Sequence, residues 1–376
     1  MAGTVAHVVG ARPNFMKAAP VIRALAARGV DQRLVHTGQH YDDALSAVFF
    51  RDLDLPRPDL DLGVGSGSHA AQTAAIMVAL ERAFSEIRPA LAVVYGDVNS
   101  TVAAALVAAK IGLPMAHVEA GLRSFDDTMP EEINRRVTDL LSELLFVTSP
   151  EGVDNLVATG TPARRIHFVG NPMIDTLLTH LDRFDVDRMR AALDLPELYA
   201  VATMHRPSNV DDPEQAGRIV AMLRGVADML PLIVPLHPRG RPTLEAAGLR
   251  ADERLRVVDP LGYVDFLSLV RGAALVVTDS GGIQEETTIL RVPCLTVRPN
   301  TERPITISHG TNRLVDADAD AVVPIARAIL DGDLVLPDES PPLWDGHAGE
   351  RIGDVITAWL ARDEAGAPVE VGRLVP

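Results

Sequence analysis

Short apolar runs separated by longer amphipathic stretches recur along the whole chain. In the first half, VAHVVG (5–10), QRLVHTG (32–38), LAVVYG (91–96), PMAHVEAG (114–121) and LLFVTS (144–149) largely lack polar alternation, as strands covered on both faces do. Helices are predicted between them over 13–27, from about Asp42, over 72–87 and over 100–111. The second half repeats the theme with YAVATMH (199–205), PLIVPLH (231–237), LRVVD (255–259), ALVVTD (274–279) and PCLTVR (293–298). Strand–helix alternation predicts α/β architecture, with parallel sheets, right-handed crossovers and helices on both faces. The cluster Gly170-Asn171-Pro172 interrupts the pattern. Two doubly wound domains are therefore expected, 1–170 and 171–349, with a final helix within about 350–376 packing back on the first. Open α/β sheets bind ligands at their strand carboxyl ends, which places the expected active site in a cleft between the domains.

With 376 residues the chain is long enough for two such cores, and 47% apolar with 23% charged residues is a globular composition. A net charge of −16 argues against nucleic acid and anionic membranes as partners. An anionic substrate would need positive charge concentrated locally. The single cysteine, Cys294, lies in apolar VPCLTV and reads as a small core residue, consistent with a reducing cytoplasm. The most apolar long stretch, 101–118, is broken by Lys110, Gly112 and Pro114, and no leader pattern opens the chain, so a soluble cytoplasmic protein is expected. No His/Cys/Asp spacing fits a metal and no serine-hydrolase elbow occurs, so neither metal nor cofactor is expected.

Candidate chemistry gathers where the predicted strands end. LVVTDSGGIQEET (275–287) reads as a buried strand, a Ser280-Gly281-Gly282 turn whose N–H groups face an anion, and a helix start. Glu285 or Glu286 in that helix would accept ribose hydroxyls. The spacing matches neither the dinucleotide fingerprint nor a Walker loop, and the plain alternative is a helix start packed close on its sheet. In GARPNFMKAAP, Arg12 and Lys17 flank Pro13 at another helix start, a clamp for a diphosphate or carboxylate. Lys17 and Lys110 are the only lysines. Asp97, Glu119 and the Glu131-Glu132 pair lie in three separate strand-end segments, so that crowding would tune them for proton transfer. The plainer roles are a helix cap for Asp97 and an ion pair with Arg123 for Glu119. His205 and His237 end strands and are followed closely by arginines, which suits phosphate contact or proton transfer. His36 and His117 read as structural.

Taken in order, GARPNFMKAAP, TGQH, VYGDVNST, HVEAGLRS, MPEEINRR, MHRPSN, TDSGGIQEE and TERPITISHGTNRLV resemble the blocks of the non-hydrolysing UDP-N-acetylglucosamine 2-epimerases, from about residue 5 to about 315. The resemblance implies two Rossmann-like domains in a GT-B arrangement and inversion at C2 of a UDP-linked 2-acetamido sugar. Removal of the C2 proton and departure of UDP from C1 would leave a 2-acetamidoglucal, to which UDP re-adds. By motif match, Asp97 and Glu131 are the acid/base pair, with Glu119 tuning or positioning them. Arg12, Lys17, Arg135 and His205 would hold the diphosphate; Ser280, Gly281 and Gly282 would contact phosphate, Glu286 the ribose, and Phe266 and Arg303 the uridine. A homodimer is likewise implied. The chain departs from many members at Asn14, where they carry an acid, and at Tyr41-Asp42, where they carry Arg-Glu. The second departure argues against the substrate activation seen in bacterial enzymes. HRPSN, PLHPR and GSGSHAAQT are closer to relatives acting on 2,3-diacetamido uronic acid sugars, the alternative substrate class. A GT-B glycosyltransferase would need an acceptor groove and no carboxylate set below C2. A silent UDP-sugar binder would have no use for Asp97, Glu119 and Glu131.

Overall fold

The computed structural model describes residues 3–39, 51–236, 240–334, 336–337 and 339–365. The helix expected from about Asp42, the Tyr41-Asp42 pair and His237 lie outside these residues. The chain forms two compact units, Met1–Thr179 with Pro342–Pro376, and His180–Pro341.

The first unit carries β1 (Val5–Val9), β2 (Gln32–His36), β3 (Leu60–Asp61), β4 (Leu91–Tyr95), β5 (Met115–Ala120), β6 (Leu144–Val147) and β7 (Ile166–Phe168). They form one sheet in the order β3-β2-β1-β4-β5-β6-β7, and the pairings are parallel. The second unit carries β8 (Ala200–Thr203), β9 (Leu232–Pro235), β10 (Leu255–Val258), β11 (Leu275–Thr278), β12 (Cys294–Val297) and β13 (Asn312–Val315), in the order β10-β9-β8-β11-β12-β13 and again parallel. In each sheet the winding reverses beside the first strand, between β1 and β4 and between β8 and β11. The chain leaves the sheet on opposite sides at those points and opens a crevice.

Continuous burial of β1, β4, β6, β8, β9, β11 and β12, with at most one residue half-buried, explains their lack of alternation. The helix His69–Ile87 buries Ile76, Leu80 and Phe84, a stripe at helical spacing, against a core that includes Val8, Val35 and Val94. Strands β3, β7 and β13 escape the sequence pattern because they are short edges, paired on one side and partly solvated.

The division between units falls at Thr179/His180, downstream of the Gly170-Asn171-Pro172 cluster. The helix Pro172–Thr179 stays with the first unit because it is bonded into it. Thr176 Oγ1 donates to the Met16 carbonyl at 2.6 Å, and Asp175 accepts the Ala348 and Gly349 amides at 3.1 and 2.7 Å. Those amides begin the helix Ala348–Ala365, which packs along the helix Arg12–Ala27. The return to the first unit starts earlier than 350, with the Trp344 indole donating to the Thr148 carbonyl at 2.9 Å.

His7 marks the centre of the first core. It is fully buried on β1, with Nε2 2.8 Å from Gln32 Oε1 and Nδ1 2.6 Å from the Tyr95 hydroxyl. Since the amide oxygen only accepts, Nε2 carries the proton and the tyrosine donates to Nδ1. Burial lowers the ring pKa to about 4, against a smaller opposing effect of the Gln32 bond. A folded pKa below the unfolded value of 6.5 leaves the neutral ring stabilising above pH 6.5, and that contribution disappears as the pH falls through about 4. In urea unfolding at pH 7 and pH 4, wild type should lose about 3 kcal/mol more than His7→Gln. Equal losses would show that His7 does not carry the acid sensitivity.

Candidate functional site

At the switch point of the first sheet, Gly96 ends β4 in the left-handed region, with φ of 65°. A Cβ there would sit 3.1 Å from Glu119 Oε2 and 3.2 Å from Lys17 Nζ, so a bare backbone is what admits these two charges. Lys17 and Glu119 form a buried ion pair. Asn14 ties both walls of the crevice together. Its Oδ1 accepts the Gly10 and Ala11 amides at 3.0 Å, and its Nδ2 donates to the Tyr95 carbonyl at 2.7 Å.

Glu119 itself is strained. It lies in β5 at an irregularity of the pairing with β6 and has φ of 76°. A non-glycine residue there costs on the order of 1–3 kcal/mol and persists where its surroundings over-determine it, as active sites do.

From the helix Pro130–Leu141, the buried Arg135 pairs with Asp97 and with Glu132 Oε2, the latter at 2.6 Å. Glu132 also accepts the Ser124 amide and hydroxyl at 2.8 and 2.9 Å. Glu131, one residue earlier, is half-exposed, and its side chain makes no hydrogen bond or ion pair among the described residues. The structure thus brings Lys17, Asp97, Glu119 and Arg135 to one strand-end region. Arg12 opens the helix Arg12–Ala27, whose N-terminus has no side-chain cap.

Two plainer roles do not hold. Asp97 does not cap a helix: Val98 occupies the cap of the helix Asn99–Ile111 and Asp97 is engaged by Arg135. Glu119 does not pair with Arg123, which instead donates to Asp139 Oδ2 at 2.7 Å.

The second switch point is organised by Asp279, fully buried at the end of β11. It accepts the His205 and Arg206 amides and the Asn209 side chain at 2.9 to 3.1 Å, and faces His205 Nδ1 at 2.8 Å. Burial alone would raise its pKa, but His205 and these donors outweigh it and hold the carboxyl below the ordinary range. The His205 side chain itself is half-exposed.

Next to it, Ser280 stands at the cap position of the helix Gly281–Leu290 with no side-chain cap bond, which leaves the first-turn N–H groups open to an anion. A Cβ on Gly281 would lie 2.6 Å from Arg303 Nη1. Displacing Arg303 would disturb its ion pairs, with Glu285 at Nε (2.9 Å) and with Glu302 at Nη1. Gly281→Ala is therefore expected to lower stability by roughly 1–3 kcal/mol, checked by thermal melting. A wild-type melting temperature would mean the helix start is not tightly packed.

Glu286 is buried in the same helix with Oε1 lacking a partner. Burial pushes its pKa up to about 8, the Tyr263 hydroxyl works against that, and Glu285 adds to it. Phe266, half-buried, projects from the helix Tyr263–Arg271 that also carries Tyr263.

Asn14, Asp139, Tyr263 and Asp279 were not picked out as functional from sequence, and of the Glu131-Glu132 pair it is Glu132 that the structure engages with Arg135. Asp279 had the signal used for Asp97, an acid directly after an apolar run. The others lie inside helices or a strand, where sequence shows no reason for a polar residue to face a crevice.

Two doubly wound sheets, each gathering buried charge at its switch point, and one offering an uncapped glycine-led helix start, define a two-unit α/β enzyme of the nucleotide-binding type. A family model described as UDP-N-acetylglucosamine 2-epimerase matches residues 23–357. The UDP-N-acetylglucosamine 2-epimerase of Methanocaldococcus jannaschii is 37% identical over 360 residues, covering 93% of this chain and 98% of that protein. The UDP-2,3-diacetamido-2,3-dideoxy-D-glucuronate 2-epimerase of Pseudomonas aeruginosa is 38% identical over 355 residues, with the same two coverages of 93% and 98%. A crystal structure of the M. jannaschii enzyme in complex with UDP-GlcNAc and UDP superposes with a TM-score of 0.89 over 94% of this chain and 99% of that one. The chain belongs to the UDP-N-acetylglucosamine 2-epimerase family, and the expected family and pair of parallel-sheet α/β units are borne out. Among the described residues no helix is long and apolar enough to cross a membrane.

Proposed function

We propose that the chain is a non-hydrolysing 2-epimerase interconverting UDP-N-acetylglucosamine and UDP-N-acetylmannosamine. The observation that carries this reading is the set of carboxylates and cations at the first switch point, with Glu119 held in a strained backbone beside Lys17 and Asp97 held by Arg135. A carboxylate takes the C2 proton, the C2–H electrons form the C1=C2 double bond, and the C1–O bond breaks with its electrons leaving on UDP. A second carboxyl protonates the other face of C2 and UDP re-adds at C1. Asp97 and Glu131 fill the acid and base roles, with Glu119 setting their placement.

In the second unit, Ser280, Gly281 and Gly282 meet the phosphates, His205 the developing diphosphate charge, Glu286 the ribose, and Phe266 and Arg303 the uridine. Arg12, Lys17 and Arg135 add positive charge to a protein that is net acidic, which an anionic substrate requires. Cytoplasmic location and a homodimer complete the reading; sedimentation at micromolar concentration checks the second.

The relative from P. aeruginosa favours one further substrate, since its identity to this chain matches that of the M. jannaschii enzyme. Comparing kcat/KM on UDP-N-acetylglucosamine and on UDP-2,3-diacetamido glucuronate separates the two. A higher value on the first supports the proposal, and turnover of the uronate alone replaces its substrate.

A further inference from the structure

Asp139 is a buried carboxylate on the helix Pro130–Leu141 with no part in the steps above, and every group facing it is a donor. Oδ1 meets His117 Nδ1 at 2.7 Å, Oδ2 meets Arg123 Nη1 at 2.7 Å, and the Gly121 amide reaches both oxygens at 3.4 and 3.2 Å. The other ring nitrogen of His117, Nε2, lies 2.8 Å from the Gly96 carbonyl.

A carbonyl only accepts, so Nε2 carries a proton. The guanidinium on Oδ2 and the amide keep the negative charge on Asp139, which faces Nδ1 as an acceptor. Both ring nitrogens of His117, which has no exposed surface, thus face acceptors. Asp139 thereby grips β5 at His117 and at Gly121, two residues to either side of Glu119. The same ring reaches across to β4 and holds the peptide that leads into Asp97.

We propose that His117 and Asp139 are positioning residues: a buried ion pair that locks the strained Glu119 backbone from both sides and fixes the Gly96–Asp97 turn. This rests on the reading that Asp97 and Glu119 work at C2. It also explains why a left-handed glutamate survives in a strand: the flanking residues are held, leaving it no extended alternative.

The test is nitrogen NMR of the full-length protein with labelled histidine, the His117 ring being assigned through its contacts with Gly96. At pH 7.5 both ring nitrogens are expected at protonated values, and a neutral ring with one bare nitrogen overturns the proposal. Asp139→Asn should lower kcat about 10- to 100-fold with KM and the UDP Kd within about twofold. A kcat within twofold of wild type would also overturn it. Should that variant fail to fold, the ring measurement on wild type still decides. An inactive wild type would sink the proposed function while leaving the protonation of His117 as a separate, readable result.

Discussion

Asp97→Asn is expected to cut kcat for C2 inversion by about 10²- to 10⁴-fold while leaving the UDP Kd within about twofold, the range for losing a positioned acid or base. The amide keeps the shape and can still accept from Arg135, which retains Glu132 as a second partner, so the fold should survive. What is lost is a carboxyl able to take and return a proton at the end of β4. UDP binding is assigned mainly to the other unit, which is why affinity and turnover should separate. Unchanged turnover in steady-state assays would remove Asp97 from the reaction, and a parallel loss of UDP binding would make it a binding residue instead.

Glu286 should respond in the opposite sense on stability. Its folded pKa of about 8 lies above the ordinary 4.5, so the folded state holds a proton that the unfolded chain releases. Stability is therefore full below pH 4.5 and declines as the pH rises through about 8. Glu286→Gln removes the titrating group, and the variant should gain on wild type by on the order of a few kcal/mol between pH 5 and pH 8.5. The acid with an orphaned oxygen is a liability to the folded protein, one that the proposed ribose contact would relieve. Accordingly Glu286→Ala should weaken UDP binding by roughly 1–3 kcal/mol. Parallel pH–stability curves for wild type and Glu286→Gln would refute the buried acid, and an unaltered UDP Kd in Glu286→Ala would refute the ribose contact.

The parts of the molecule legible in sequence share a physical reason. Central strands buried on both faces must be apolar throughout, so β1, β4, β9, β11 and β12 stand out. Of the edge strands, β10 was readable from LRVVD, whereas β3, only two residues long, and β13, whose Arg313 is exposed, escaped the pattern. Asp97, Glu119 and Ser280 were readable because a charged or small residue directly after an apolar run sits where such sheets bind ligands, and Lys17 because it lies in the first turns of the helix that follows β1. The supporting groups were not. Asp139 lies well inside an amphipathic helix, and only the fold shows that its carboxylate meets β5 from below the site. The strain at Glu119 was equally hidden, since nothing about a glutamate in MAHVEAG announces a positive φ. The mispaired expectation for Arg123 has the same origin: sequence neighbours suggested Glu119, whereas the bulge turns that carboxylate toward Lys17.

The central claim is that a proton leaves and returns at C2 of a UDP-linked sugar. Incubating the protein with UDP-N-acetylglucosamine in D2O and following the anomeric and C2 proton signals by NMR tests it directly. The account predicts a growing fraction of UDP-N-acetylmannosamine, with deuterium at C2 of the product and progressively of the recovered substrate. Epimerisation with the C2 proton fully retained would contradict proton exchange with the carboxylates. No exchange, with this sugar or with its 2,3-diacetamido uronate counterpart, would contradict the epimerase assignment itself.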